Sequence, residues 1–196
     1  MYVRIPTTVG AAPNIEVVKW LMWAARNAGI ADARNQICED FLASEEDLLW
    51  MIDSDVVCPP RALKGDMDIL CGVYPHMIHN FGKPAIVWSA WTAQDDGYVP
   101  AEIKDSKHIV DAAATGCMRL TRKVLKEIPA PWFENHFEEG SRHLALGEDY
   151  DFCRKAKNAG FPVWIDPKYQ CHHMKQASLA MVEQAVLNTL SSKVAA

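Results

Sequence analysis

The chain has 196 residues, of which 49 % are apolar and 23 % charged, with a formal net charge of −5. That length accommodates one α/β domain with a sizeable core, and the composition excludes extended disorder. The charge is spread without a basic block, so there is no strong sign of nucleic-acid binding, and no stretch approaches the roughly 20 apolar residues that span a bilayer.

Residues 2–5 read as a short first strand closed by Pro6-Thr7-Thr8. Asn14 then caps a helix with an apolar face at Ile15, Val18, Leu21, Met22 and Ala25, and Gly29 ends it. A second helix starts at Asp32 or a neighbour and runs through Arg34, Ile37, Phe41 and Leu42. Leu48-Leu49-Trp50-Met51-Ile52 is an unbroken apolar run, the pattern of a strand buried on both faces. It ends in Asp53-Ser54-Asp55, two carboxylates one residue apart.

Pro59-Pro60 breaks the chain, and a short helix around Ala62-Leu63 is expected before a strand over 69–74. Residues 85–91 and the turn Asp95-Asp96-Gly97-Tyr98 predict an antiparallel hairpin. Residues 109–112 lead to a strand over 115–120, and 122–125 open a helix stopped by Pro129 and Pro131. After a polar loop over 134–147, Glu148-Asp149 start a helix with Phe152, Cys153 and Ala156 on its apolar face and Gly160 as its stop. Val163-Trp164-Ile165 is the last strand, followed by Asp166-Pro167 and Cys171-His172-His173. Leu179, Val182, Val186 and Leu190 make 176–196 an amphipathic helix, packed on the domain or on a second copy of the chain as a homodimer. Residues 1–175 thus form a single domain. The six cysteines lie far apart and form no C-x-x-C pair, so they are expected as free, mostly buried thiols in a reducing, cytoplasmic setting.

Four clusters carry the chemistry: Asp53 with Asp55, Thr115-Gly116-Cys117, Glu148 with Asp149, and His172 with His173. Each alone has a structural explanation. An Asp-x-Asp pair is a common turn, and acids in the first turn of a helix are favoured by its dipole by about 0.3–1 kcal/mol. Together they suit one metal-dependent transfer site at the carboxyl ends of sheet strands. Acids two apart on an extended chain share a side and can hold one hard cation, while a separate carboxylate takes a proton from an incoming hydroxyl.

These motifs, with Ala33-Arg34-Asn35, Gly147-Glu148-Asp149-Tyr150-Asp151, Ala159-Gly160 and Asp166-Pro167, come in the order seen in glycosyltransferases of the GT-A fold. The chain most resembles their small, family-2-like members from bacteria and phages. The resemblance implies an α/β, Rossmann-like nucleotide-diphospho-sugar transferase fold, a mixed and mostly parallel sheet flanked by helices with a small antiparallel hairpin. It implies transfer of a sugar from a nucleotide-diphosphate sugar to a hydroxyl acceptor with Mn²⁺ or Mg²⁺, by inversion. Pro6 and Thr7 match the loop beside the base, Arg34 the arginine beside the nucleotide, and Asp53 and Asp55 the D-x-D motif. Thr115, Gly116 and Cys117 match the acceptor-side strand, and Asp149, with Glu148 beside it, matches the catalytic base. His173 aligns better than His172 with the late metal-binding histidine, and Lys175 is within reach of a phosphate.

In one respect the chain departs from the family. Over 9–33 there is room for one helix where the family fits a helix, a strand and a loop. Trp20 and Trp23 on that helix are expected to pack against the sheet, with a cover over the shortened base pocket as the alternative. Residues 137–147, with Gly140 and Gly147, read as a lid. The alternatives are a catalytically silent nucleotide-sugar-binding module of the same fold, a nucleotidyltransferase, and a structural zinc protein.

Overall fold

The computed structural model describes residues 2–4, 29–80, 83–95 and 97–174. The helix predicted from Asn14, the tail over 176–196, Pro6, Thr7, Trp20, Trp23 and Lys175 lie outside the described residues. In chain order the elements are β1 (Tyr2–Arg4), α1 (Ile30–Ala43), β2 (Leu48–Ile52), β3 (Val56–Val57), β4 (Ile69–Val73), β5 (Pro75–Asn80) and β6 (Lys83–Trp88). There follow β7 (Ala90–Gln94), β8 (Gly97–Pro100), β9 (His108–Val110), β10 (Ala112–Ala113), β11 (Cys117–Thr121), α2 (Arg122–Glu127), β12 (His136–Phe137), β13 (Leu144–Leu146), α3 (Glu148–Asn158), β14 (Val163–Gln170) and β15 (His172–His173).

The central sheet has the order β1-β2-β11-β4-β14-β9. β11 lies antiparallel to both β2 and β4, and β14 lies parallel to β4. β2, β4 and β14 therefore share one direction, and the sheet is mixed, as expected, but it is not mostly parallel: β4–β14 is its one parallel pairing among the described residues, because β1, β9 and β11 all run the other way. That topology decides where the site lies. The carboxyl ends of β2, β4 and β14 reach the same edge as the amino end of β11, so Asp53, Tyr74, Cys171 and Gly116 all emerge there.

β4 is buried along its whole length. β2 alternates instead, with Leu49 and Met51 fully buried and Trp50 and Ile52 half-buried, so complete cover on both faces holds for β4 and not for β2. The core joins these strands to Ile37 and Phe41 of α1 and Phe152 and Ala156 of α3, with the Phe133 and Phe152 rings stacked at 4.6 Å.

Several boundaries differ from the sequence reading for physical reasons. Gly29 is the N-cap of α1, so Asp32 falls in the first turn, where the helix dipole favours an acid. No helix forms around Ala62-Leu63, because side chains take the carbonyls a helix would need. Arg119 bonds to the Leu63 and Met67 carbonyls, Lys107 to that of Lys64, and the Tyr169 hydroxyl to that of Arg61. Residues 85–91 are not one strand. The chain bends at Ser89, whose hydroxyl accepts the Tyr74 N–H at 3.1 Å, and separates the β5–β6 and β7–β8 hairpins. The loop over 134–147 contains a β12–β13 ribbon that turns near Gly140, where φ is +68°.

α3 starts at Gly147 as N-cap and ends before Gly160, where φ is +84°. Its Asp151 is fully buried and meets His136 at 2.9 Å, Arg154 at 2.8 Å and Lys155 at 2.7 Å. Burial alone would raise the Asp151 pKa, but hydrogen bonds from Lys155, His136 and Arg154 outweigh it and hold the carboxyl below its ordinary value. A carboxyl depressed in the folded state stabilises above its unfolded pKa of about 3.9 and loses that contribution as the pH falls through the folded value. Urea titrations should therefore show wild-type stability falling below about pH 4. Asp151→Asn should cost about 1–3 kcal/mol at neutral pH and flatten that acid limb.

Candidate active site

The loop after β2 is held to the start of β11 by the Asp53 N–H, which donates to the Gly116 carbonyl at 3.1 Å. Gly116 in turn donates its N–H to the Tyr74 hydroxyl at 3.1 Å. A Cβ at position 116 would lie 2.9 Å from Tyr74 Cζ and 3.0 Å from Asp53 Oδ2. Only glycine allows the Tyr74 ring and the Asp53 carboxylate to approach so closely. On the far side β15 pairs with β3, and the Met174 N–H donates to the Asp55 carbonyl at 2.7 Å, which draws the His pair towards the Asp-x-Asp loop.

These segments line a cleft of about 450 Å³, with Asp53, Asp55, Tyr74, His76, Glu148, Asp149, His173 and Arg34 on its walls. Arg34 is the hub. Its side chain is 3 % exposed, yet it pairs with Glu148 at 2.6 Å, with Asp149, and with Asp53 at 3.4 Å. The neighbouring Asn35 fixes α1 in this position, because its amide donates to the Phe133 carbonyl at 2.8 Å and accepts the Phe133 N–H at 3.0 Å. Burial opposes charge on the guanidinium, but Asp149, Asp53 and Glu148 outweigh it, so its pKa lies above the ordinary value. Burial pushes the Asp53 carboxyl up, with the Asp149 charge adding to the effect and Arg34 partly offsetting it. Glu148 is likewise raised, by burial first and then by Asp149.

Among the described residues four carboxylates and one guanidinium thus line the cleft, three of the four paired with that guanidinium. This balance of charge favours a cation and opposes a bare diphosphate.

His173 is the histidine that turns inward. Its Nδ1 lies 2.8 Å from the Pro75 carbonyl and its Nε2 lies 3.3 Å from Asp55 Oδ2. His172 is exposed on the opposite side of β15 and does not line the cleft. The structure also places Thr115, Gly116 and Cys117 behind the cleft wall, with Ala114 on its surface. Thr115 instead holds Asp149, donating its hydroxyl to Oδ1 at 2.7 Å.

Two wall residues were not found by sequence reasoning. Tyr74 packs edge-on to His173 with ring centroids 5.1 Å apart, and His76 stacks on His173 at 6.1 Å and meets the Trp91 edge at 5.6 Å. The available signal was positional, since Tyr74-Pro75-His76 follows buried β4 as Asp53-Ser54-Asp55 follows β2.

A mixed sheet that gathers an Asp-x-Asp loop, an acid pair at a helix start and an inward histidine around one cleft defines a GT-A type α/β fold. The profile of the family described as Glycosyltransferase like family 2 matches residues 10–187. The chain belongs to this family. Among solved structures it is similar to the one titled "Crystal Structure of A197 from STIV", with a TM-score of 0.51 and 18 % identity over 76 % of this chain and 70 % of that one. A search of curated proteins found no match. Among the described residues no helix is long and apolar enough to cross a membrane.

Proposed function

We propose that this glycosyltransferase is metal-dependent, moving a sugar from a nucleotide-diphosphate sugar to a hydroxyl acceptor with inversion. One observation carries the metal assignment. A carbonyl can only accept, so the Pro75 contact places the proton of a neutral His173 on Nδ1 and turns the Nε2 lone pair towards Asp55. Two acceptors 3.3 Å apart need a cation or a proton between them.

Asp55 and His173 would hold the ion, Asp53 would support it or the ribose, and the mixed oxygen and imidazole donors suit Mn²⁺ better than Mg²⁺. When bound, the ion supplies charge neutralisation for the departing diphosphate. Arg34 keeps Asp53, Glu148 and Asp149 in fixed positions, and Asp149 acts as the base for the acceptor hydroxyl. The β12–β13 ribbon leads directly into Gly147 and Glu148, and Phe137 and Leu144 on it are exposed. It is the proposed lid.

The test is Mn²⁺-dependent hydrolysis and transfer with a panel of nucleotide sugars. Asp55→Ala should lower turnover by roughly 100-fold or more and weaken Mn²⁺-dependent nucleotide-diphosphate binding measured by calorimetry. Unchanged turnover with Mn²⁺ present would overturn the assignment.

A further inference from the structure

Directly behind the cleft lies a cluster that the transfer reaction does not use. Cys58 Sγ is 3.6 Å from Cys117 Sγ and 3.6 Å from Cys171 Sγ, and all three sulfurs lie within 4.8 Å of one another. We propose that Cys58, Cys117 and Cys171 form a thiolate site for one Zn²⁺ ion, which fastens the donor-binding loops together from behind.

Geometry is the first support. Tetrahedral zinc with Zn–S bonds of about 2.3 Å sets its sulfurs roughly 3.8 Å apart. The two short separations already match that edge. A disulfide needs about 2.05 Å between sulfurs, and it would leave the third thiol unused.

The surroundings are built for the cluster. β4 carries Gly72 beside it, and a Cβ there would lie 2.8 Å from Cys117 Sγ. The Trp50 indole N–H is buried without a partner in hydrogen-bond geometry, and a charged Cys117 sulfur would offer it an acceptor. Cys117 and Cys171 are buried, whereas Cys58 is half-exposed and gives the ion an entrance and water a fourth ligand position.

Placement gives the site its purpose. Cys58 follows Asp55 by three residues, Cys117 follows Gly116, and Cys171 precedes His173 by two. Binding would release up to three thiol protons to solvent and replace weak S–H···S contacts with three Zn–S bonds. The protein ligands of the site are all sulfur, so it is chemically distinct from the oxygen and imidazole donors of the cleft.

Co²⁺ is the spectroscopic probe. In the fully reduced, chelator-treated full chain an intense near-ultraviolet thiolate-to-cobalt band should grow in and correspond to one equivalent of thiolate-bound Co²⁺, whatever the cleft also binds, and Zn²⁺ should abolish it. Cys58→Ser, a half-exposed position, should abolish the band and weaken Zn²⁺ binding by roughly 100-fold or more. Zn²⁺ should also protect these thiols from alkylation in the wild type, a measurement that needs no variant. Asp55→Ala should leave the band intact, so failure of the cleft assignment and failure of this one are separable. Absence of the band in reduced protein, its persistence in Cys58→Ser, or loss of two titratable thiols in protein purified without reductant would overturn the proposal.

Discussion

Arg34→Met should lower the unfolding free energy by about 3–5 kcal/mol, a large fraction of what a domain of this size possesses. The guanidinium is almost fully buried and pairs with Asp53, Glu148 and Asp149. Methionine fills much of the volume but leaves three carboxylates facing one another in a poorly solvated cleft. Removing one partner of a buried ionic cluster costs more than the cluster itself contributes, because the remaining charge is stranded.

The pH dependence of that loss has a definite sign. Asp53 and Glu148 already sit above their ordinary pKa values, chiefly through burial, and without Arg34 they should rise further. A carboxyl raised in the folded state destabilises once the pH exceeds its unfolded value of about 4, and ceases to do so when it is protonated. The deficit of Arg34→Met should therefore shrink as the pH is lowered towards 4, and adding Asp149→Asn should recover part of it. Arg34→Lys should fall between wild type and methionine, since an ammonium keeps the charge but cannot fork between Glu148 and Asp53. Denaturant titrations at several pH values measure all three. A loss below 1 kcal/mol would show that the cleft carboxylates are solvated or protonated rather than held by Arg34.

This cluster also shows where sequence stops being informative. The strand that delivers Asp53 was readable because an apolar run of five residues ends abruptly in acid, and α3 because Gly147, the acids after it and Gly160 punctuate a helix. Those are local signals. Arg34, by contrast, sits in an amphipathic helix like any surface arginine, and its burial depends on partners 114 and 115 residues away. The sheet order is non-local in the same way, since β11 inserts between β2 and β4 through pairing that no short window encodes. The choice between His172 and His173 lay in strand alternation, but it needed the pairing of β15 with β3 to say which face is inward. The cysteines looked unrelated because Cys58, Cys117 and Cys171 come from three separate segments of the same sheet edge.

Asp149→Asn is expected to separate binding from chemistry. Asp149 has two oxygens in different circumstances. Oδ1 takes the Arg34 guanidinium and the Thr115 hydroxyl, whereas among the described residues Oδ2 has only a long 3.4 Å contact with the Thr115 N–H. One oxygen is therefore anchored and the other remains available for a proton. Asparagine can present its carbonyl oxygen to Arg34 and Thr115, so the cleft should keep its shape, and Glu148 and Asp53 still balance the guanidinium. What it cannot do is accept the proton of an acceptor hydroxyl. Turnover should fall by roughly 10²–10⁴, the range general-base catalysis supplies, while calorimetry with a nucleotide diphosphate and Mn²⁺ should show affinity changed by less than about threefold. The opposite pattern, weakened binding with turnover per bound donor unchanged, would make Asp149 a positioning residue for Arg34. Donor binding with no turnover even in the wild type would instead favour a silent binding module, with the Arg34–Asp149 pair as the contact that suppresses the base.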